Sequence, residues 1–135
     1  MIVFSYGTLC EPLVRDRVLG HTVDVRPAML RGFSKVCGWD YLTLVPSDGT
    51  VSGVVFEADA DDVARMDEWE DVPVYVPTEV SVEVDGSTVS AYAYIMPEPP
   101  AAYEVVEDSR IAAIPLDRIM ADLESMMGGA RGGRM

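Results

Sequence analysis

Short apolar or alternating runs, separated by residues that favour turns, recur along the first half of the chain and predict β-strands. These runs cover residues 2–5, 22–33, 41–45 and 51–56. The first run ends just before a glycine, as a buried strand does where it enters a turn. Pro46 closes the third run, and Ser47, Asp48 and Gly49 predict a hairpin turn that leads into the fourth.

The second half of the chain has a hairpin signal of the Asp-Gly type. Asp85 and Gly86 lie between two β-rich runs, residues 74–84 and residues 89–95. A two-residue Asp-Gly loop suits the tight turn between antiparallel strands. The sequence therefore predicts about six strands in all.

Three segments carry helical signals. A short helix with proline in its first turn is predicted to begin at Pro12. A second begins at Asp59, a suitable N-cap, and extends to about Glu70, because the residue before Pro73 avoids α-helical geometry. A last amphipathic helix follows a proline-rich crossing. Its apolar positions are Ile119, Met120, Leu123 and Met127.

Two or three helices with about six strands predict an α+β fold. So many strands with so few helices favour a small closed or nearly closed sheet, which hides the strand edges. We expect a single domain over residues 1–127. The Gly/Arg-rich segment 128–135 is predicted to be a flexible tail, since it has too little apolar surface to order itself.

Composition narrows the function classes. The chain has 135 residues, 49% of them apolar, which suits one globular domain. Its 23 acidic and 10 basic residues give a formal charge of -13, so nucleic acid and anionic membranes are disfavoured as partners. The first residues lack the features of a signal peptide, and no apolar run approaches the ~20 residues of a membrane span. We expect a cytoplasmic protein, with monomer and homodimer both left open.

The cysteines and basic residues add two further points. Cys10 and Cys37 with the single His21 cannot form a tetrahedral zinc site by themselves, so no zinc site is expected. Lys35 is the only lysine of the chain. An acid excess with few lysines fits a protein kept soluble in concentrated salt, but acidic surfaces are also common in ordinary cytoplasmic enzymes.

Glu70 is the first candidate for chemistry. At 100° per residue it falls on the same helical arc as Val63, Met66 and Trp69, and therefore points toward the core. Burial disfavours the charged carboxylate and raises its pKa, and Asp67, Glu68 and Asp71 are expected to raise it further. A carboxyl with such a pKa is suited to general acid/base work near neutral pH. The alternative is a helix that frays before residue 70 and leaves Glu70 in solvent.

The second candidate is the loop of Tyr6, Gly7, Thr8 and Leu9, between the first strand and the first helix. Such a loop presents free backbone N–H groups, and its glycine lets a ligand approach the chain closely. These donors suit a carboxylate or a developing oxyanion. One glycine in a four-residue turn is also what any strand-to-helix connection needs.

Together with these two candidates, several segments of the chain resemble the γ-glutamylcyclotransferase-like (AIG2-like) family in order and spacing. The segments are IVFSYGTL at 2–9, RPAMLRGF at 26–33, GTVSGVVFEAD at 49–59, and RMDEWE at 65–70 followed by Tyr75. The resemblance implies a small mixed β-barrel with flanking helices. It also implies that residues 6–9 bind a γ-glutamyl substrate and that Glu70 is the catalytic acid/base, with Asp67 at the earlier position of a D-x-x-E pattern.

The chain departs from the family pattern at two positions. The family usually has glycine directly after the glutamate, where this chain has Asp71, and often an arginine two residues after the tyrosine, where this chain has Pro77. The expected activity is conversion of a γ-glutamyl amine or γ-glutamyl amino acid to 5-oxoproline without a cofactor. Glu70 would be the base, with Tyr6, Gly7, Thr8, Leu9 and Tyr75 as substrate contacts. The alternative is a non-catalytic module that binds a small carboxylate or a protein partner.

Other candidates are weaker. His21 is expected at the surface or in a loop, and Cys10 is expected to be a small buried or half-buried thiol. Three aromatic residues, Phe33, Trp39 and Tyr41, are candidates for pocket walls but more often belong to a core.

Overall fold

The computed structural model describes residues 1–125 of the chain, so the predicted tail at 128–135 and Met127 lie outside the described residues. The strands are β1 Ile2–Ser5, β2 Arg26–Gly38, β3 Tyr41–Glu57, β4 Val76–Val84, β5 Ser87–Ile95 and β6 Glu104–Val105. The helices are α1 Pro12–Leu19, α2 Ala60–Trp69 and α3 Leu116–Glu124, and a 3₁₀ turn covers Thr8–Cys10. Within residues 1–125 no helix is long and apolar enough to cross a bilayer.

Five of the strands close into a barrel. Their order is β3-β1-β5-β4-β2, and pairing of β2 with β3 closes the ring, while β6 adds to β2 outside it. The β1–β5 pair is parallel and the other pairs are antiparallel. The predicted α+β fold, a small mixed β-barrel of about six strands with two or three flanking helices, is confirmed.

The turn between β2 and β3 lies elsewhere than predicted. β3 runs without a break through residues 46–50, and its turn with β2 is at Trp39 and Asp40. The pairing changes from Arg31↔Thr50 to Phe33↔Pro46, so residues 47–49 form a bulge opposite Gly32. The predicted hairpin at Ser47–Gly49 is therefore wrong, because the two extra residues on β3 were absorbed as a bulge rather than as a reversal of the chain.

The other predicted elements are present, although β2 covers Arg26–Gly38 rather than residues 22–33. α1 has Pro12 in its first turn and ends at Gly20, which has a left-handed φ of 80°. α2 begins with a capping box, in which the side chains of Asp59 and Asp62 each accept a bond from the other's backbone N–H. The β4–β5 turn at Asp85 and Gly86 has φ values of 50° and 80°, as a type I′ hairpin requires.

Two apolar clusters hold these elements together. One fills the barrel, with Phe4, Leu30, Leu44 and Val82 among its members. The other joins the outside of the barrel to the helices and includes Val14, Val18, Met66, Tyr94 and Leu123. Consecutive residues of β1, Val3 and Phe4, belong to different clusters. β1 is thus packed on both faces, and the loop that follows it starts from a fixed position.

A close approach of β3 to the end of β1 requires glycine at position 53. A Cβ atom there would lie 2.1 Å from the carbonyl oxygen of Ser5 and 2.8 Å from the ring of Phe4. Ser5 directly precedes the loop at residues 6–9. The contact therefore sets where that loop leaves the barrel.

Candidate functional site

A cavity of about 270 Å³ opens where β1 ends. Its lining brings together all six site residues predicted from the sequence: Tyr6, Gly7, Thr8, Leu9, Glu70 and Tyr75. These residues come from β1's loop, the end of α2 and the segment before β4. The fold thus places side chains more than 60 positions apart around one space.

The loop after β1 presents its backbone to this cavity. Gly7 and Thr8 carbonyls accept bonds from the N–H groups of Cys10 and Glu11, at 2.9 and 3.0 Å. The N–H groups of Thr8 and Leu9, at the start of this single 3₁₀ turn, have no carbonyl partner within it. Both residues line the cavity, so these N–H groups are candidate donors for an anionic or carbonyl oxygen.

A buried arginine supports the loop from behind. The side chain of Arg15 is 6% exposed, and its Nη1 donates to the Leu9 and Cys10 carbonyls at 3.1 and 3.4 Å. These bonds satisfy carbonyls of the 3₁₀ turn that would otherwise be buried without partners. The guanidinium therefore fixes the loop and does not line the cavity.

Glu70 follows the last helical residue of α2. Its N–H donates to the Met66 carbonyl at 2.8 Å, so the helical hydrogen bonding extends to residue 70 and does not fray before it. The residue is half-buried and lines the cavity. Burial raises the pKa of Glu70 to about 8. Burial is the cause of this pKa shift, so the predicted contribution of Asp67, Glu68 and Asp71 is wrong.

A side-chain hydrogen bond joins the end of α2 to the loop. Trp69 Nε1 donates to Thr8 Oγ1 at 3.0 Å. Trp69 directly precedes Glu70, so this bond sets the loop and the carboxyl relative to each other. The two candidates that the sequence offered separately are parts of one arrangement.

Three tyrosines surround Glu70, and one of them was missed by sequence reasoning. Tyr6 donates to the Tyr94 carbonyl at 2.5 Å, and Tyr75 donates to the Leu42 carbonyl at 2.8 Å. Tyr94, on β5, donates to Asp67 Oδ1 at 2.5 Å. Burial first, and the nearby Glu70 carboxyl in addition, raise the pKa of the Tyr6 and Tyr75 hydroxyls, so both stay protonated donors.

The segment before α3 forms an apolar wall of the cavity, at residues 111–114. Two cations hold it, of which Lys35 is buried and Arg110 is half-buried. Lys35 Nζ donates to the Asp108 and Arg110 carbonyls, both at 2.7 Å, and Arg110 donates to the Ala112 and Ala113 carbonyls at 3.0 and 2.9 Å. The sequence contained no signal for this wall, because residues 106–114 have neither a period nor a motif.

The weaker candidates lie mostly away from the cavity. His21 is at the surface as predicted, and its Nε2 is 2.6 Å from Asp62 Oδ1. Cys10 is half-buried and Cys37 is buried, and both thiols are free. Of the three aromatic candidates, Tyr41 lines the cavity, whereas Trp39 is 85% exposed and Phe33 packs against the barrel cluster.

The sequence and the fold both have known counterparts. A family model described as gamma-glutamyl cyclotransferase, AIG2-like, matches residues 3–113. Protein AIG2 C from Arabidopsis thaliana is 34% identical, over 75% of this chain and 66% of that protein. The chain thus spans just under two thirds of that relative.

Solved structures share the architecture. One named gamma-glutamyl cyclotransferase has a TM-score of 0.65 and 22% identity, over 95% of this chain and 80% of its own. The crystal structure of an AIG2-like protein from Mus musculus has a TM-score of 0.62 and 24% identity, over 74% of this chain and 79% of its own. At these identities the likeness shows the fold alone.

Proposed function

Because the chain belongs to the gamma-glutamyl cyclotransferase, AIG2-like family, we propose that it converts a γ-glutamyl amine or γ-glutamyl amino acid to 5-oxoproline and the free amine. The observation that carries the proposal is the meeting of Glu70 with the loop at residues 6–9 in one cavity. Trp69 Nε1 ties the two together through Thr8 Oγ1. A binding module would need the loop but not an inward carboxyl with a raised pKa.

The reaction is an intramolecular aminolysis. The substrate's α-ammonium group gives a proton to the Glu70 carboxylate, and the freed amine attacks the side-chain carbonyl carbon of the same glutamyl group. A C–N bond forms in the five-membered ring, and the original amide C–N bond breaks as Glu70 returns the first proton to the leaving nitrogen. The ring nitrogen gives up its second proton, which the released amine takes up. The ring closure supplies proximity, so the protein's task is to orient the substrate and to move these two protons.

The other site residues have distinct tasks in this scheme. N–H groups of the Gly7–Leu9 loop hold the substrate α-carboxylate or the tetrahedral oxyanion. Tyr6 and Tyr75, with protonated hydroxyls bonded to backbone carbonyls, present their rings as walls beside Glu70. No step calls for a metal or an organic cofactor.

The test is Glu70→Gln against wild type, with 5-oxoproline release from a panel of γ-glutamyl amino acids and amines as the assay. Glutamine keeps the size and a hydrogen-bonding end but removes the basic oxygen, so we expect turnover to fall by roughly 10² to 10⁴. Affinity for the uncleaved substrates, measured by calorimetry, should change little. Glu68→Gln, on the exposed side of the same helix, is the matched control and should keep wild-type turnover.

Two results would contradict the proposal. Wild-type protein that binds the panel but releases no 5-oxoproline would favour the binding module. Equal turnover by Glu70→Gln and wild type would leave the activity but remove Glu70 as the base. The pH profile gives a further check, since kcat/KM for a base with a pKa of about 8 should rise with pH through that value.

A further inference from the structure

The Thr8 hydroxyl accepts a hydrogen bond from an indole. Trp69 Nε1 donates to Thr8 Oγ1 at 3.0 Å. An indole N–H can only donate, whereas a hydroxyl offers one proton and two acceptor lone pairs. Among residues 1–125 no side chain or carbonyl accepts the proton of this hydroxyl. The indole therefore holds the oxygen, and the hydroxyl proton is directed away from Trp69.

A ligand in the cavity can use this proton. Thr8 is half-buried and lines the cavity. The three tyrosines around Glu70 have no such freedom, because Tyr6 and Tyr75 donate their hydroxyl protons to backbone carbonyls and Tyr94 donates to a carboxylate. Unlike these three, the Thr8 hydroxyl can give its proton to a bound oxygen.

The indole that holds the hydroxyl is itself fixed. Trp69 is the last residue of α2, and its ring packs against the apolar cluster that joins the helices to the barrel. The following N–H, that of Glu70, donates to the Met66 carbonyl at 2.8 Å. One end of a helix thus positions the carboxyl directly and the hydroxyl through the indole. A donor that is oriented in advance needs no reorganisation when negative charge develops.

The proposed reaction offers two kinds of anionic oxygen, and the role of Glu70 distinguishes them. Glu70 exchanges protons with the attacking and the leaving nitrogen, which are both bonded to one carbon in the tetrahedral intermediate. The oxyanion lies two bonds from each of these nitrogens. The α-carboxylate oxygens lie three bonds from the attacking nitrogen and five from the leaving one. A donor tied to the residue next to Glu70 is therefore better placed for the oxyanion.

We propose that Trp69 is a positioning residue, which holds the Thr8 hydroxyl so that it donates to the tetrahedral oxyanion. The proposal rests on the proposed function and adds a side-chain donor to the N–H groups of the loop. The indole acts through Thr8 and not on the substrate. Phenylalanine at position 69 would keep an aromatic ring in the apolar cluster and remove the N–H group.

Substitutions of Thr8 test the donor. Thr8→Val keeps the branched shape and removes the proton, so kcat for 5-oxoproline release should fall by roughly 10² to 10³ with KM little changed. Thr8→Ser keeps the hydroxyl and should retain most of kcat. Thr78→Val, at an exposed position outside the cavity lining, is the control and should match wild type. A wild-type kcat in Thr8→Val, or a change in its KM alone, would contradict the proposal.

Substitution of Trp69 tests the positioning. Trp69→Phe should lower kcat by about threefold to tenfold, the effect of one neutral hydrogen bond. In the Thr8→Val background the same change should lower kcat no further, because the indole acts only through the hydroxyl. The pH midpoint of kcat/KM, which reports Glu70, should stay at the wild-type value. Trp39→Phe, at an 85% exposed position outside the lining, is the control. Independent losses in the double variant, or a shifted midpoint in Trp69→Phe, would rule out positioning through Thr8.

Binding separates this proposal from the proposed function. The probe is 2-amino-4-phosphonobutanoic acid, which has a tetrahedral phosphonate in place of the γ-carbonyl group and cannot form 5-oxoproline. Its affinity, measured by calorimetry, should drop in Thr8→Val and by a smaller factor in Trp69→Phe. Such a drop supports the hydroxyl donor even when wild type releases no 5-oxoproline, a result that would remove only the proposed reaction. Equal affinity in wild type and Thr8→Val, or no binding of the phosphonate, would overturn the proposal.

Discussion

At the scale of single residues, the Glu70 carboxyl makes the stability of the protein depend on pH. Its pKa is raised from 4.5 to about 8 by burial. Below pH 4.5 the group is protonated in the folded and unfolded states alike. Between 4.5 and 8 the unfolded chain releases this proton while the folded protein keeps it, so this group's contribution to the free energy of unfolding falls as pH rises.

We therefore expect Glu70→Gln to be more stable than wild type at pH 9 and nearly equal to it at pH 5. The amide has no proton to lose, so the difference in melting temperature between variant and wild type should grow with pH across this window. Thermal unfolding followed by circular dichroism measures it, with Glu68→Gln as the control. A difference of the same size at pH 5 and pH 9 would contradict burial of an ionisable group.

The hydrogen bond between Tyr94 and Asp67 provides a second test at the scale of single residues. The Tyr94 hydroxyl donates to Asp67 Oδ1 at 2.5 Å, one turn of helix before Glu70. Hydrogen bonds to charged groups contribute about 1.5–3 kcal/mol, so Tyr94→Phe should lower the unfolding free energy by an amount in that range. Asp67→Asn should cost less turnover than Glu70→Gln, because its side chain holds the helix end rather than the proton.

A double-mutant cycle checks this pair. If the two side chains act through one bond, the double variant should be no less stable than the worse single variant. Additive losses of unfolding free energy in the double variant would show that the two side chains act independently. Tyr92→Phe, on the same strand, is the control.

These residues also show which parts of the site can be predicted from local sequence patterns and which cannot. Glu70 could be assigned to an inward face because Met66 and Trp69 lie on the same side of one helix. Tyr94 could not be assigned to the site, since it is 24 positions further on and reaches Asp67 only through the register of β5. Asp71 stands where the family pattern has glycine, and its left-handed φ of 57° is a conformation that glycine adopts without strain.

At the scale of elements, the crossing of β1 and β3 depends on Gly53. A Cβ atom 2.1 Å from the Ser5 carbonyl oxygen requires the strands to separate. We expect Gly53→Ala to destabilise the fold by about 1–3 kcal/mol, as overpacked cores are. Substrate affinity should also weaken, because the Tyr6–Leu9 loop moves with Ser5.

Gly20→Ala gives the comparison for this prediction. A Cβ at Gly20 meets nothing within 4 Å, so only its left-handed φ of 80° opposes the substitution. Its cost should be about 1–2 kcal/mol with substrate affinity unchanged. Chemical denaturation and calorimetry report the two quantities. Unaltered affinity in Gly53→Ala would show that the crossing does not position the loop.

A comparison of the two hairpins explains why the β4–β5 turn could be predicted from the sequence and the β2–β3 turn could not. Asp85 and Gly86 suit left-handed φ values, so the local sequence and the turn agree. Trp39 has a φ of 58°, a conformation that its bulky side chain disfavours. No turn signal marks that position, whereas Ser47–Gly49 carries a turn signal at a place where long-range pairing forms a bulge instead.

At the scale of the whole molecule, the barrel and its helices followed from periodicity and strand count, but the closure of the site did not. Residues 111–114 reach the cavity through bonds of Lys35 and Arg110 to backbone carbonyls. Backbone carbonyls occur at every residue, so a sequence cannot indicate which of them a distant cation will bind. The wall of the cavity could for this reason be found only in the folded structure and not be predicted from the sequence.

Because Lys35 is buried, the chemical reactivity of its amine reports when the wall of the cavity opens. Lys35 is the only lysine in the sequence, and it is 3% exposed with its Nζ bonded to two carbonyls. An amine-reactive acylating reagent should therefore modify this side chain only when the segment at residues 106–110 detaches. The rate of Lys35 acylation, followed by peptide mass spectrometry, should fall when a γ-glutamyl ligand stabilises the closed wall. Rapid acylation of the ligand-free native protein would show that the wall opens freely in solution.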